Sequence, residues 1–284
     1  MRLIAFLAAW LAPLIGFSTE LRVAGSDLLG ADFDAALTTF AKKQNVSLTT
    51  TFAGSRAALE ELKAGTVDVA LVAFAPDETP PGPPFVVQPL VYRIAVVVVP
   101  DRIAVTQISF NQLDGFFGAN GPAGFSLWRD IGLAGETAQL TVTTHVLARK
   151  GDELSIDLFE HSALRVPKLK SSVERHDEFA ALNGRLSAEA GGLAVLSYVP
   201  AAGTGLRALL VSKGDRDPAF GPTPENIHTG DYPLRLPVYV IYRSENTASL
   251  KPLLAFLWSD EAARSLRKDA ALTPVPVSGR PRVH

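Results

Sequence analysis

The sequence predicts an α/β fold of two lobes, each a mixed and mostly parallel sheet flanked by helices. Two observations carry this prediction. Strand and helix patterns alternate over residues 20–75, and a long β-branched run occupies residues 85–100. Strands that alternate with helices favour a parallel sheet covered by helices. The run at 85–100 exceeds the length of an ordinary strand and is long enough to pass from one lobe into another.

The first 75 residues are predicted to form a strand–helix–strand–helix–strand unit. Its segments are a strand at 21–25, a helix at 31–45, a strand at 46–53, a helix at 55–65 and a strand at 67–75. The last strand, VDVALVAFA, is almost continuously apolar, which is typical of a strand buried on both faces. Asp68 interrupts it, and since a buried charge requires partners, we expect Asp68 to hydrogen-bond neighbouring backbone.

The rest of the chain is predicted to hold further strands and helices after a Pro-rich loop at residues 76–84. Beyond the run at 85–100 these are a helix and turn at 109–121, a strand at 139–150, helices at 151–164 and 174–192, apolar segments at 193–199 and 206–212, a loop at 214–233, a strand at 234–243 and helices at 247–270. The last helical region is expected to break near Ser259–Asp260, after which ALTPVP closes the chain.

Composition narrows the classes of function. The 284 residues carry a formal net charge of −2 and no basic run, so nucleic acid is not an expected partner. The absence of cysteine excludes disulfides, thiolate metal sites and thiol nucleophiles. No G-x-S-x-G, H-E-x-x-H or phosphate-loop motif occurs, and the histidines are scattered. We therefore expect no enzyme activity, and a structural, hydrogen-bonded role for His145.

The N-terminal segment has the features of a secretory signal peptide. Arg2 precedes an apolar run over residues 3–17, and small residues precede a cleavage point ahead of Thr19. A transmembrane anchor is disfavoured because the run is shorter than the ~20 residues that span a bilayer and contains Pro13. We expect residues 1–18 to be removed and the remaining chain to be soluble, in the periplasm or outside the cell.

Small-residue loops follow the first three predicted strands. They are Gly25-Ser26-Asp27, Gly54-Ser55-Arg56 and Ala73-Phe74-Ala75. Ligands of open α/β sheets bind outside the carboxyl ends of the strands, and Gly-Ser turns at helix starts offer hydroxyl and N–H groups to an anion. Serine is also a common N-cap, and the negative charge of an aspartate at a helix start interacts favourably with the helix dipole. The residues alone leave both interpretations open for Ser26, Asp27 and Ser55.

Six segments occur in an order and spacing that point to a known family. They are VAGSDLLG, FAGSRAALEELKAGTVDVALVAFA, PLVYRIAVVVVP, ISFNQLDGFFG with LWRDIG, YPLRLPVYVIYR and LLAFLWSDEAARSLRKDAALTPVP. Together they resemble the phosphate-binding (PstS-like) family of periplasmic binding proteins, the solute receptors of ABC transporters. The resemblance covers nearly the whole chain after the signal peptide. It implies the type II two-lobed fold of periplasmic binding proteins.

The resemblance also implies a set of ligand-binding residues. They are Ser26, Asp27, Ser55, Arg149 and Ser155. Arg149 matches the family's anion-binding arginine, and Ser155 takes the position of the threonine that follows it. Asp27 stands where the family usually has a hydroxyl, and Glu153 replaces a serine of the second-lobe loop. Because a carboxylate beside phosphate repels it, we expect weak or no phosphate binding and a preference for a protonated, amphoteric or otherwise different ligand.

The organisation that the resemblance implies has a discontinuous first lobe. Residues 20–92 and 236–284 form lobe one, and residues 93–235 form lobe two. The implied function is that of an exported protein that holds a small anion, such as phosphate or a similar oxyanion, in the interlobe cleft for uptake by an ABC permease contacted transiently. The alternative is a protein of this fold that has lost transport and acts as a sensory or envelope interaction module. No cofactor and no metal is implied, and a monomer is expected.

Overall fold

The structure is a computed structural model that describes residues 20–74, 78–120, 124–149 and 153–282. The predicted signal peptide, residues 1–18, lies outside these ranges. Within them, no helix combines the length and the apolar character needed to cross a membrane.

The described residues form thirteen strands and eight α-helices. The strands are β1 Glu20–Gly25, β2 Ser47–Thr51, β3 Val69–Ala73, β4 Phe85–Ile94, β5 Val96–Pro100, β6 Gln107–Ser109, β7 Thr143–Leu147, β8 Glu174–His176, β9 Gly192–Leu196, β10 Leu206–Ala208, β11 Leu210–Ser212, β12 Arg235–Arg243 and β13 Leu272–Pro274. The helices are α1 Gly30–Gln44, α2 Ser55–Ala64, α3 Phe110–Phe117, α4 Glu153–Ala163, α5 Phe179–Ala188, α6 Pro224–Thr229, α7 Thr247–Leu257 and α8 Asp260–Leu266.

The first sheet contains strands from both ends of the chain. Its order over the described residues is β13-β4-β12-β3-β1-β2. Strands β1, β2 and β3 are parallel, and β4 points the same way because β12 runs antiparallel to both β3 and β4. Strands β12 and β13 run in the opposite direction. The sheet is mixed, as predicted: four of its six strands point the same way, although three of its five neighbouring pairs are antiparallel.

The second sheet has the order β10-β5-β9-β7-β8 in the described part of the chain. Strands β7, β8 and β9 are parallel, and β10 shares their direction because β5 runs antiparallel to both β9 and β10. A small separate sheet pairs β6 and β11 in parallel. The two large sheets account for the two lobes of the fold.

Helices bury apolar stripes against both faces of the first sheet. In α1, Phe33, Leu37 and Phe40 recur at helical spacing and are buried with residues of α7 and α8. Helix α2 covers the other face, where Leu62 packs in a cluster with Ile241 of β12. Burial of each such side chain contributes about 1.5–3 kcal/mol relative to its exposure. The sequence pattern therefore fixes which face of each helix meets the sheet.

The chain passes between the two sheets at two adjacent points. Strand β4 ends at Ile94 and β5 begins at Val96, and the return crossing precedes β12 at Arg235. The backbone N–H of Ala95 donates to the carbonyl of Leu234 at 3.1 Å. The two crossing segments thus lie side by side, which is the arrangement of a two-stranded hinge.

Three segments differ from the sequence predictions. Residues 174–176 form β8 rather than the start of a helix, because pairing with β7 outweighs local helical spacing. Residues 206–212 divide into β10 and β11, which join different sheets. The predicted loop at 214–233 contains α6, which begins at the N-cap Thr223 with Pro224 in the first turn, a recognised start signal.

Candidate functional site

A cavity of about 760 Å³ opens where the loops after β1, β2 and β3 face helix α4. The described residues that line it are Ser26, Asp27, Leu28, Ser55, Ala73, Phe74, Leu154, Asp157, Leu158, His161 and Leu236. Its volume falls within the roughly 300–1,000 Å³ typical of small-molecule sites. One wall comes from loops at the carboxyl ends of parallel strands, where such sheets bind ligands.

Ser26 is a buried N-cap and one of the residues that line the cavity. Its Oγ accepts a hydrogen bond from the backbone N–H of Leu28 at 3.3 Å, which caps the short 3₁₀ turn before α1. Gly25 precedes it in a confined position, since a Cβ there would lie 2.9 Å from Cβ of Leu71. The small residue at position 25 lets β1 end close to β3. Ser26 therefore agrees with both interpretations that the sequence left open: it caps the helix start, and it belongs to the wall of the cavity.

Ser55 joins the second loop to the third. As the first residue of α2, it accepts a hydrogen bond at Oγ from the backbone N–H of Ala73 at 3.0 Å. Gly54 has a φ of 123°, a conformation that favours glycine, and its N–H donates to the carbonyl of Gly25 at 3.1 Å. These bonds tie the three strand-end loops into one wall.

One face of α4 forms the opposite wall. The lining residues Leu154, Asp157, Leu158 and His161 are spaced by three, one and three positions, which places them on one side of a helix. His161 donates through Nδ1 to the carbonyl of Asp157 at 2.9 Å. The sequence analysis did not select these residues. The helical spacing of 154, 157, 158 and 161 was the signal available, but only the packing of α4 decides which stripe faces the cavity.

The charge of the cavity is acidic. Asp27 and Asp157 contribute two carboxylates, and no lysine or arginine lines the cavity within the ranges that the structure describes. The remaining wall is largely apolar, with Phe74 and several leucines. Such a wall opposes a doubly charged anion, because like charges in a partly desolvated site repel.

Arg149 stands outside the lining of the cavity. Its guanidinium carbon lies 5.3 Å from the ring centre of Tyr198, in cation–π contact. This contact orients the arginine at the carboxyl end of β7, next to α4 in the chain. The structure therefore does not bring Arg149 to the same cavity wall as Ser26 and Ser55.

Ser155 also lies away from the cavity. It is 2% exposed, and its Oγ has no hydrogen-bond partner among the described residues. Ser197, directly after β9, is 1% exposed, and its Oγ also has no hydrogen-bond partner in the described part of the chain. Ser155 is one position out of phase with the cavity-facing stripe of α4, and this explains why it points elsewhere.

Tyr92 and Arg235 link the hinge to the neighbouring helix α6. The guanidinium carbon of Arg235 lies 5.3 Å from the ring centre of Tyr92, and the Tyr92 hydroxyl lies 2.9 Å from Nδ1 of His228. Burial raises the pKa of Tyr92 to about 12, and Arg235 acts in the opposite direction. The phenol therefore stays protonated at neutral pH and can donate to His228.

A cavity between two α/β lobes, walled by strand-end loops on one side and a helix on the other, defines the class of two-lobed binding folds. The chain belongs to the PBP superfamily, because the family model described as PBP superfamily domain matches residues 17–261. No curated protein matches the chain.

Solved structures share this fold at low sequence identity. A "possible phosphate binding protein" from Planctomyces limnophilus DSM 3776 is 19% identical, with a TM-score of 0.63 over 93% of this chain and 95% of that chain. PstS from Borrelia burgdorferi is 13% identical, with a TM-score of 0.70 over 91% and 99%. An ABC-type phosphate transport receptor from Vibrio cholerae is 18% identical, with a TM-score of 0.58 over 87% and 97%. The predicted PstS-like resemblance is thus confirmed for the fold.

Proposed function

We propose that the chain is an exported solute-binding protein that captures a small anionic solute between its lobes and delivers it to an ABC permease. The single observation that carries the proposal is the cavity that joins the Ser26 and Ser55 loops to one face of α4. Membership of the PBP superfamily and likeness to proteins named for phosphate transport support it. Closure of the lobes about the two-stranded hinge would enclose the solute and give the permease a liganded form to recognise.

The two serines supply the donors for an anionic group. Each Oγ already accepts a backbone N–H, from Leu28 in the case of Ser26 and from Ala73 in the case of Ser55. A hydroxyl that accepts keeps its own O–H to donate. Both hydroxyls therefore remain available to a carboxylate or another monoanion in the cavity.

The carboxylates of the cavity restrict the rest of the ligand. Asp27 and Asp157 repel a second negative charge and attract a cationic group. Phe74 and the leucines of the wall suit an apolar body. We therefore propose an amphoteric or monoanionic solute with an apolar portion, such as an amino acid, in preference to doubly charged phosphate.

A sensory or envelope interaction module remains the second candidate. The observation in its favour is the acidic lining, combined with the position of Arg149 over Tyr198 rather than in the cavity wall. A protein with this role would keep the fold without transporting the ligand of its relatives. Binding measurements distinguish the two candidates.

Isothermal titration of the untagged protein against phosphate, sulfate, molybdate and a set of amino acids tests the proposal. We expect an amphoteric solute to bind more tightly than any of the oxyanions. Ser55→Ala should weaken that binding about tenfold, the value of one hydrogen bond of roughly 1–1.5 kcal/mol. Ser249→Ala, a serine on α7 that bonds only the carbonyl of Asn246 among the described residues, is the matched control and should bind as wild type.

Three results would contradict parts of this scheme. Submicromolar phosphate binding that is lost in Arg149→Ala would overturn the ligand class and restore the family's anion site. Tight phosphate binding that Arg149→Ala leaves unchanged would place the site elsewhere. Failure of every solute to bind would favour the interaction module over the transport receptor.

Export and lobe organisation belong to the same proposal. N-terminal sequencing of protein recovered from the cell envelope should begin near Thr19, whereas an intact N-terminus on a membrane-bound form would contradict cleavage. The proposed lobes are residues 20–92 with 236–284, and residues 93–235. The described strands fit this division, because β12 and β13 join the sheet of β1 to β4.

A further inference from the structure

Two histidines and a glutamate come together at one edge of the second sheet. Strand β8 is the edge strand over the described residues, and it pairs in parallel with β7. The register places His145 opposite Glu174 and Leu147 opposite His176. Alternate residues of a strand share a face, so Glu174 and His176 project on the same side as their neighbour His145. Strand pairing thus brings His145 together with Glu174 and His176, although it is far from them in the sequence.

The polar atoms of this cluster have the spacing of metal ligands. Nδ1 of His145 lies 3.1 Å from Nε2 of His176, and Oε2 of Glu174 lies 3.7 Å from the first nitrogen and 3.9 Å from the second. An ion that lies in the plane of these three atoms and equally far from each would be about 2.1 Å from each, which is the radius of the circle through them. That radius matches the roughly 2.0–2.2 Å between Zn²⁺ and imidazole nitrogen or carboxylate oxygen. Among the described residues, this is the one His/Asp/Glu group with metal-ligand geometry.

A second carboxylate, that of Glu189, contacts the other ring nitrogen of the buried His145. Nε2 of His145 lies 2.8 Å from Oε2 of Glu189, at the C-terminal end of α5. The hydroxyl of Thr143 donates to the same Oε2 atom of Glu189. With Nε2–H donated to Glu189, His145 presents an unprotonated Nδ1 towards His176 and Glu174. A carboxylate on the far nitrogen is the usual support of a histidine that ligates a metal.

The charges around the cluster favour a cation. Glu174 and Glu189 supply two negative charges, and Arg185 supplies one positive charge by pairing with both, at 3.0 Å and 2.8 Å. The sum over these three groups is one negative charge. Arg185 bonds both oxygens of Glu174, through Nη2 to Oε1 at 3.0 Å and through Nε to Oε2 at 3.1 Å, so an incoming ion shares Oε2 with the guanidinium or leaves it only the bond to Oε1.

We propose that His145, His176 and Glu174 form a binding site for a divalent transition-metal ion of the zinc type. The ligand atoms are Nδ1 of His145, Nε2 of His176 and Oε2 of Glu174, with water in the fourth position. Two imidazoles select zinc, copper or nickel over magnesium and calcium, which prefer all-oxygen sites. This proposal is independent of the solute cavity and of the transport function.

Metal binding replaces the hydrogen bond between the two histidines. Without metal, Nδ1 of His145 and Nε2 of His176 share a hydrogen bond of 3.1 Å, and in the tautomer of His145 that donates Nε2–H to Glu189 the donor of this bond is Nε2–H of His176. On binding, the proton of His176 moves from Nε2 to Nδ1 through solvent, and the imidazole remains neutral. No net proton, electron or co-reactant is required.

The ion has a route from solvent. The side chain of His145 is 0% exposed, that of His176 is 13% exposed and that of Glu174 is 42% exposed. The glutamate therefore forms the outer side of the cluster, where an ion and its remaining water can enter. A bound ion would link edge strand β8 to β7 through its ligands. It would also link β8 to α5 through the hydrogen bond between His145 and Glu189.

Isothermal titration of untagged, chelator-treated protein with ZnCl₂ tests the site directly, with MgCl₂ and CaCl₂ as parallel titrants. We expect one Zn²⁺ per chain, a higher midpoint of thermal unfolding with Zn²⁺, and no comparable response to Mg²⁺ or Ca²⁺. Cu²⁺ in place of Zn²⁺ should give a paramagnetic resonance spectrum with coupling to two imidazole nitrogens. A wild-type protein that binds no Zn²⁺, or a Cu²⁺ spectrum without nitrogen coupling, would overturn the proposal.

Variants locate the ion. His176→Gln and Glu174→Gln should each weaken Zn²⁺ binding by more than about 100-fold, and Glu189→Gln, which acts through His145, by about 10–100-fold. Glu178→Gln removes an exposed glutamate at the start of α5, outside both the cluster and the solute cavity, and is the matched control for Glu174→Gln, expected to bind as wild type. Glu174→Gln keeps the proposal testable if His176→Gln does not fold, because the Glu174 side chain is 42% exposed and that of His176 only 13%. Wild-type affinity in both ligand variants, or an equal loss in Glu178→Gln, would place the ion elsewhere.

Discussion

Asp68 holds the start of β3 against β1 through a single side chain. Its Oδ2 accepts the backbone N–H of Arg22 at 2.8 Å, and its Oδ1 accepts from the Arg22 guanidinium at 3.3 Å. The backbone N–H of Asp68 returns a bond to the carbonyl of Arg22 at 2.9 Å. These contacts confirm the predicted structural role of an aspartate next to an apolar strand.

Asp68→Ala is expected to lower the free energy of unfolding by about 1–3 kcal/mol, because the backbone N–H of Arg22 loses its partner. Urea denaturation measures the change. Asp32→Ala is the matched control, since Asp32 pairs with Lys268 at 2.7 Å with both side chains more than half exposed. Such exposed pairs are worth at most about 1 kcal/mol. Equal losses in the two variants would contradict the assigned role of Asp68.

Single residues of the cavity were predictable where chain order alone decides their position. Ser26 and Ser55 follow parallel strands directly, so the sheet topology carries both to the same edge. Arg149 and Ser155 were taken from the family pattern, and the structure places neither in the lining. Asp157 was missed because the rotation of α4 about its axis depends on packing, which no local pattern specifies.

Helices α3 and α5 each contain a glycine, and their surroundings are opposite. In α3, Gly115 is buried, and a Cβ there would lie 2.2 Å from the ring of Phe125. In α5, Gly184 is exposed, and nothing lies within 4 Å of a Cβ at that position. The first glycine permits close packing of an aromatic ring, and the second only reduces helix propensity.

Gly115→Ala should destabilise the protein by about 1–3 kcal/mol through overpacking against Phe125. Gly184→Ala should stabilise it by about 0.5–1 kcal/mol, since alanine is the better helix former. Chemical denaturation of the two variants side by side measures both effects. If both variants change the free energy of unfolding in the same direction, helix propensity alone or packing alone governs the two positions.

The element that the sequence analysis misjudged most is β8. The segment ERHDEFAALNG has helical character throughout, and a helix places residues 174 and 176 on different faces. Pairing with β7 instead makes residues 174–176 a strand and gives both side chains one face. Long apolar strands such as β3 and β5 were predictable because burial dictates their composition, whereas a three-residue edge strand depends on its neighbour.

The whole molecule is organised around a strand that the chain reaches late. Strand β12 lies between β3 and β4 in the first sheet, so β3 and β4 do not pair with each other directly. The sequence predicted this closure through the family resemblance and because neither terminal segment alone has enough helices to cover a sheet. The alternation of strands and helices does not reveal the strand order. The first sheet is therefore incomplete until residues beyond 234 are present, whereas β5, β7 and β9 are neighbours supplied by residues 96–196.

A chain that ends at Leu234 tests this dependence. It lacks β12, β13, α7 and α8, so the apolar cluster that holds Val23 and Leu71 loses most of its partners. We expect backbone amides of β1 and β3 to exchange freely with deuterium, while those of Val146 and Val195 in the second sheet keep most of their protection. A chain that ends at Gly279 keeps every strand that the structure describes and should exchange as the full protein does. Retained protection in β1 and β3 of the shorter chain would contradict the discontinuous first lobe, because that sheet would then be stable without the strand at its centre.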